Sequence, residues 1–424
     1  MLTISSYLFL SIPLLLITGP FLSDLALSLV VIFFLIEVFR YKKFEYFQNK
    51  FFYLFFIFYL YLVLNSFFQN QNIDSFKISI GYFRFGVFSL AVIYIINNDK
   101  QIFKKLYYVF LIIFSALIID GFIQFFYGQN ILGYPLSFGP RVSSFFNDEL
   151  ILGSYLSRFF PIFFGLLIHL GKKINKIEYI FSCSIFIFAE VLIFLSGERV
   201  AFFYMNLAAV FTLLAIKNHK KLRLGILLSS LVLIAIISFV FPNTKQRVFN
   251  QTFDQIGLFS EKKNVIFSMQ HNDLYKTAIN ITKDNIYFGV GVKNFRHKCG
   301  LDKYKVSDFS CSTHPHNSYV QIAVELGLIV LILAFILLIF FLGLILKHFQ
   351  SMFKGKYYFT DFQICLISAI LISVWPFAPT GNLFNNWINI VYYYPIGILL
   401  WSLEKDKKLI KIDKKASKKQ LKII

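Results

Sequence analysis

Val320-Gln-Ile-Ala-Val-Glu-Leu-Gly-Leu-Ile-Val-Leu-Ile-Leu-Ala-Phe-Ile-Leu-Leu-Ile-Phe-Phe-Leu-Gly-Leu-Ile-Leu346 contains one ionisable side chain, Glu325. A helix rises about 1.5 Å per residue, so such a run is long enough to cross about 30 Å of hydrocarbon. It reads as a membrane span, and the stretch before it, Cys311-Ser-Thr-His-Pro-His-Asn-Ser-Tyr319, reads as its mouth. Asn317 is placed to cap the helix by accepting an orphan backbone N–H, which leaves His314 and His316 just outside the bundle. Two histidines at that position are ordinary interfacial residues, half of a metal site, or a proton-transfer device, and the rest of the chain has to choose.

Comparable apolar runs recur along almost the whole sequence. Hydrophobic residues make up 57% of the 424, charged residues only 15%, and mean hydropathy is +0.67, which describes a polytopic membrane protein. About twelve runs of spanning length follow, near 3–20, 23–40, 51–68, 76–96, 105–126, 150–170, 177–195, 200–217, 223–241, 318–346, 361–378 and 387–403. The expected fold is all-α, with one large late external loop. The first run has no Lys or Arg before it, so it reads as a span that is retained and not as a cleaved signal peptide.

Basic residues near span ends stay on the cytoplasmic side, and here they alternate. With the N-terminus inside, the inner links hold Arg40, Lys42, Lys43 and Lys50, then Lys100, Lys104 and Lys105, then Lys172, Lys173 and Lys176, then Lys217, Lys220, Lys221 and Arg223, and finally Lys347, Lys354 and Lys356. The opposite short links hold only Lys77, Arg141 and Arg199, and the lysine-rich tail after Trp401 falls inside. The chain divides accordingly into N-terminal spans (1–126), an external loop (127–149), further spans (150–241), a large external loop subdomain (242–317), C-terminal spans (318–403) and a basic cytoplasmic tail (404–424). A net charge of +20 is thereby assigned to membrane edges and lipid headgroups, not to nucleic acid, since no aromatic interleaving accompanies it.

The two external loops carry the unusual polar residues. One contains Gly139-Pro-Arg-Val-Ser-Ser-Phe-Phe-Asn-Asp-Glu149, with Arg141 its only base. The other is too long for a plain connection and reads as a small folded unit with an amphipathic helix over 272–281 and a tight turn at Tyr287-Phe-Gly-Val-Gly-Val-Lys-Asn-Phe-Arg296. Gly289-x-Gly291 lacks the strand-turn-helix setting of a dinucleotide loop, and that reading is rejected. Cys299 and Cys311 share this loop; a bridge between them would add about 3 kcal/mol by chain entropy. Zinc is the competing reading, although Cys-x11-Cys with a Pro-separated His pair does not match usual ligand spacing.

A third polar break, Ser196-Gly-Glu-Arg-Val-Ala-Phe202, separates two spans on the same face. Its plain reading is a helix-helix turn in which Glu198 pairs with Arg199. Arg84, Asp120, Arg158 and Glu190 lie within spans, where each needs a partner or a wet cavity.

Taken together, His314-Pro315-His316-Asn317 followed by Gln321, Glu325 and Gly327, the Ser196-Gly197-x-Arg199 break, the Gly289-Val-Gly291 turn ahead of Asn294-Phe295, and the Arg141 stretch resemble the O-antigen ligase and polymerase superfamily. The resemblance covers about 141–327, with the motifs in the expected order on one face. It implies transfer of a glycan from an undecaprenyl diphosphate carrier to an acceptor hydroxyl, a lipid A core sugar in a ligase, at the periplasmic face of the bacterial inner membrane. An O-antigen polymerase or a protein O-oligosaccharyltransferase needs the same chemistry. The leaving diphosphate calls for arginine, assigning Arg199 and Arg141; the attacking hydroxyl calls for a base titrating near neutrality, assigning His316 and then His314, with Asn317 orienting the substrate. No cofactor is expected. The external aspartates form no Asp-x-Asp pair, so metal independence is expected as well. A transporter or lipid-carrier flippase is the competing class, against which stands the absence of repeated halves.

Overall fold

The computed structural model describes residues 1–69, 72–137, 141–255 and 268–420, so Gly139 and Pro140 of the Arg141 stretch lie outside the described residues. Among those described the chain is helical with no strand. The main helices are α1 (Leu2–Leu15), α2 (Pro20–Arg40), α3 (Lys50–Gln69), α4 (Ile73–Gly81), α5 (Phe83–Asn98), α6 (Ile102–Tyr127), α7 (Leu152–Leu170), α8 (Lys176–Leu195), α9 (Arg199–Ala215) and α10 (Lys220–Val240). After the long loop come α11 (Met269–Asp284), α12 (Ser318–Leu326), α13 (Leu328–Phe353), α14 (Asp361–Ser373) and α15 (Asn386–Gln420). Among the described residues eight segments are long and apolar enough to cross a membrane, with α4 and α5 counted together, and α1, α9 and α14 are shorter apolar helices.

Each expected span has a helix, with one correction that matters. The run 318–346 is not one helix: Gly327, at φ +84°, ends α12, and α13 starts afresh at Leu328 and runs on to Phe353. A Cβ on Gly327 would lie 2.1 Å from the Tyr287 carbonyl oxygen, so the loop backbone passes where a side chain would be. The orphan carbonyls ending α12 are met from that loop: Val290 N–H donates to Val324 and Gly291 N–H to Glu325, both at 2.9 Å. Glu325 in turn accepts from the Phe295 amide and from Gln321. The Gly-Val-Gly turn and the Gln-Glu-Gly positions are thus two halves of one joint, which is tied to the site described below through Gln321, donating to Asn382 Oδ1 and accepting the Leu383 amide, both at 2.9 Å.

The helices differ sharply in burial. Much of α7 is enclosed by α6, α8, α9 and α14, whereas α10 and α13 present most of their surface outward. Three charged groups inside the bundle have local partners. Arg84 Nε lies 2.8 Å from Asp24, Glu190 accepts from Ser230 at 2.6 Å, and Asp120 accepts from Ser144 Oγ at 2.6 Å and from the Ile131 amide at 3.0 Å. Asp120 works with Gln124, which accepts from the amides of Ser143 and Ser144, to fasten the α6–α7 link to the end of α6. Arg141 is therefore set by two polar side chains buried in the preceding helix.

Links of the bundle segregate to two ends. Those carrying the lysines meet at one, where Asp361 accepts from the Lys217 and Asn218 amides and His348 joins the Ala215 carbonyl to the Phe359 amide. The α1–α2, α6–α7, α8–α9 and α14–α15 links meet at the other, around a cavity. Beside it the loop between α10 and α12 builds a small core of its own from Leu274, Ala278, Ile281, Phe295 and Cys299 against Val324.

Candidate active site

The α8–α9 turn is the base of the site. Ser196 caps it locally, its Oγ donating to the Ile193 carbonyl at 2.8 Å. The carbonyls of Ser196 and Gly197 then each receive an arginine: Arg141 Nε donates to Ser196 at 3.0 Å and Arg247 Nε to Gly197 at 3.2 Å. Gly197 has φ +66°, and a Cβ there would come within 2.8 Å of Arg247, so only glycine lets the guanidinium lie against the turn. Arg199, the first residue of α9, lines the same cavity as Arg141 and Arg247.

Glu198 does not serve Arg199 as the simple turn reading expects. Its carboxylate accepts the Gly153 and Ser154 amides at 2.7 and 3.0 Å, capping the N-terminus of α7. Burial pushes its pKa up to about 7, against the pull of these amides and of Arg141. Burial also holds the Arg141 guanidinium below its usual value, and the nearby Arg247 adds to that. Three cations crowded at one mouth form an anion-attracting field.

The cavity measures about 1080 Å³, the size of a site for a large ligand. Arg141, Arg199 and Arg247 share its polar side with Asn147, Glu149, Glu198 and Asn382; Leu14, Ile17, Ile112, Ile113, Leu117 and Ile388 line an apolar side. Leu14 and Ile112 are also exposed on the outside of the bundle, at 52% and 67%, so the cavity reaches the surface that faces lipid.

Behind the cavity wall stand the histidines. Thr380, which lines the cavity, donates its amide to the His316 carbonyl at 2.8 Å, and its own carbonyl lies 3.3 Å from His314 Nε2. A carbonyl only accepts, so His314 carries its proton on Nε2 and takes the Thr313 hydroxyl on Nδ1 at 3.0 Å. Burial, then the adjacent His316, lowers the His314 pKa to about 4. His316 has φ +55°, a conformation costing about 1 kcal/mol for a non-glycine residue, which the Thr380 bond holds in place. Its Nε2 lies 3.3 Å from Ser312 Oγ, its ring centroid 4.1 Å from that of His314, and burial lowers its pKa.

A third histidine completes the group. His271, near the start of α11, lies edge-on to His316 with centroids 5.6 Å apart, its Nδ1 2.6 Å from Ser268 Oγ. Burial, His316 and Arg199 lower its pKa to about 4. Among the described residues no three His, Cys, Asp or Glu side chains are grouped as a metal ion would require.

Of the residues singled out in the sequence, Arg141 and Arg199 are brought together, and His314 and His316 stand against the same cavity through Thr380. Asn317 is elsewhere engaged: its Oδ1 caps α12 on the Tyr319 and Val320 amides, and its Nδ2 donates to the Pro376 carbonyl at 2.8 Å. Cys299 and Cys311 are joined, their Cα atoms 5.0 Å apart, which fixes the segment leading into the histidines. Sequence reading missed Arg247, His271 and Thr380. Arg247 sits in an unremarkable Gln-Arg-Val, and only the bare Gly197 turn opposite it hinted at a close partner.

Residues 183–336 match a family model described as O-antigen ligase. The match takes in the Ser196–Arg199 turn, Arg247, His271 and the whole His314–Gly327 element, and supports the superfamily that the motifs resembled. No curated protein matches the chain.

Proposed function

We propose that this chain, a bacterial membrane protein of the O-antigen ligase superfamily as its 183–336 match supports, moves a glycan from undecaprenyl diphosphate to a hydroxyl of the lipid A core. The family supports glycosyl transfer of the ligase or polymerase type; the donor, acceptor and direction are our reading. The observation that carries it is the convergence of Arg141, Arg199 and Arg247 on one mouth of a cavity that also has an apolar side, with Leu14, Ile17, Ile112 and Ile388, reaching the lipid-facing surface. A lipid diphosphate has that same division, an anion on a hydrocarbon tail.

In this reading the diphosphate rests among the three guanidiniums, whose planar forks meet phosphate oxygens two at a time and do not deprotonate. The acceptor oxygen attacks the anomeric carbon; the bond from that carbon to the diphosphate oxygen breaks with its electron pair, and the arginines stabilise the charge that develops there. The acceptor's proton passes to His316, which burial keeps neutral and therefore able to receive it. His314, held by Thr313 and Thr380, positions His316, and Asn317 positions both by pinning α12 to the α14–α15 link. Charge stabilisation by arginine removes the need for a metal ion. The reacting end of the bundle faces the periplasm and the lysine-rich end the cytoplasm, with both termini inside the inner membrane's cytoplasmic face.

Purified protein in vesicles, given a polyprenyl diphosphate-linked glycan and isolated lipid A core, should yield glycan-bearing core in the presence of a chelator. Product formed only on a second carrier-linked repeat would make the chain a polymerase, and product on a serine or threonine peptide a protein transferase. Loss on chelation, restored by magnesium or manganese, would replace the arginine-only account.

A further inference from the structure

Deeper in the cavity, a fourth arginine has no hydrogen-bond partner for one of its terminal nitrogens. Arg158 is the seventh residue of α7, about 9 Å along the axis from its start at about 1.5 Å per residue. It lines the cavity and is 4% exposed. Its Nε approaches Ser154 Oγ at 3.3 Å, while its guanidinium carbon lies 4.9 Å from the Tyr204 ring centre and 5.5 Å from that of Tyr392. Nη1 of Arg158 and the hydroxyls of Tyr204 and Tyr392 are all buried without a hydrogen-bond partner. None of the bundle's salt bridges among the described residues involves Arg158.

Arg84 shows what this bundle does with a structural arginine: it supplies Asp24 and Asn386 as acceptors. Arg158 receives two aromatic faces and a serine instead. An enclosed guanidinium without a counter-charge is costly, and the aromatic faces offset only part of that cost. Arg158 and Tyr204 line the cavity and Tyr392 packs against the same guanidinium, so a fixed cation stands there with hydroxyl donors beside it. It calls for an anionic acceptor; neutral sugar hydroxyls would leave the charge uncompensated. We infer that Arg158, Tyr204 and Tyr392 form a second phosphate-binding subsite beneath the three arginines of the mouth, open to lipid-borne ligands.

This inference rests on the reading of the cavity as a lipid-substrate site but uses none of the arginines or histidines of that reading. Two sources could bring the phosphate: the donor's own diphosphate, drawn deeper than the mouth, or the headgroup of a membrane phospholipid entering where Leu14 and Ile112 line the cavity. Binding of farnesyl diphosphate and of phosphatidylglycerol to the detergent-solubilised full-length protein, measured by native mass spectrometry and by ligand-induced shift of the thermal midpoint, separates them. Arg158→Gln should weaken one of the two probes about tenfold or more, the ordinary loss for a charge-assisted bond. Weakening of farnesyl diphosphate assigns the subsite to the donor, and weakening of phosphatidylglycerol alone assigns it to a headgroup. If both probes bind Arg158→Gln as they bind the parent, and stabilise it equally, the arginine is structural and the inference fails.

Tyr392→Phe, which removes one orphan donor and keeps the packing, serves if Arg158→Gln does not fold. It should bind the same probe about threefold or more weakly, and unchanged binding overturns the subsite. Arg199→Ala with Arg247→Ala tests the mouth independently. Should that double variant bind farnesyl diphosphate normally while Arg158→Gln does not, the donor assignment of the mouth falls and the deeper subsite stands.

Discussion

Thr380 grips His316 by the backbone, amide to carbonyl at 2.8 Å, and presents its own carbonyl to the ring of His314. One residue of the α14–α15 link thus fixes the height of one histidine and the proton position of the other. The two rings consequently have different duties. His316→Ala should lower turnover by about a hundredfold or more while the protein still inserts, as expected when a general base is removed. His314→Ala should keep part of the turnover and lower the thermal midpoint. Equal turnover losses with unchanged stability in both variants would mean that the division of labour is wrong; a normal rate in His316→Ala would remove it as the base.

The pH dependence has a defined sign. His314 is held at about 4 in the fold against 6.5 when free, so between these values the unfolded chain binds more protons and stability falls as pH drops. A decrease on the order of a few kcal/mol is expected from pH 6.5 to 4, and His314→Gln should flatten part of that slope in thermal melts. Turnover should lose its acid limb below the usual imidazole range, because burial delays protonation of His316. An acid limb at or above pH 6.5 would contradict a buried neutral base.

In the proposed reaction, arginine at the mouth acts through shape as well as charge. Arg199→Lys should recover little of the activity lost in Arg199→Ala, since a point charge replaces a fork. The same logic extends to a residue with no charge at all. Gly197→Ala places a methyl within 2.8 Å of Arg247 and forces a side chain onto φ +66°, so it should reduce turnover at least about tenfold with the three arginines still present. Kinetics on Gly197→Ala matching the parent would show that the position of Arg247 is immaterial.

Serine at Cys299 or Cys311 should reduce stability by about 3 kcal/mol, the chain-entropy value for a loop of this size. Turnover should fall too, because the bridge ends just before Ser312, whose hydroxyl meets His316. Peptide mass spectrometry without reductant should recover the two cysteines as a linked pair. Two free thiols in protein prepared without reductant would refute the linkage.

Much of the fold was legible because lipid imposes a single demand, an apolar stretch of sufficient length, and the lysines punctuated it. The break at Gly327 was not, since the apolar run continues across it from Val320 to Leu346 and only the approach of Tyr287 from a distant loop makes glycine necessary there. At the site, Arg141, Arg199 and the His pair stood out as polar residues at span ends. Arg247 and His271 did not, because their importance comes from what folds against them: a turn lacking a side chain in one case, a facing ring in the other. Asn317 was legible as a helix cap, and its bond to Pro376 lay 59 residues away, beyond any local pattern.

The joint at Gly327 also separates two mechanical tasks. The long helix α13 is the most lipid-exposed span of the eight, and a thicker or thinner bilayer is accommodated by retilting such a helix. The histidines do not ride on it. They sit on the far side of the joint, registered to α14 and α15 through Asn317 and Thr380 and to the loop through the cysteine bridge. Changes in membrane thickness can therefore be absorbed at the rim of the protein while the His316 ring keeps its distance from the arginines.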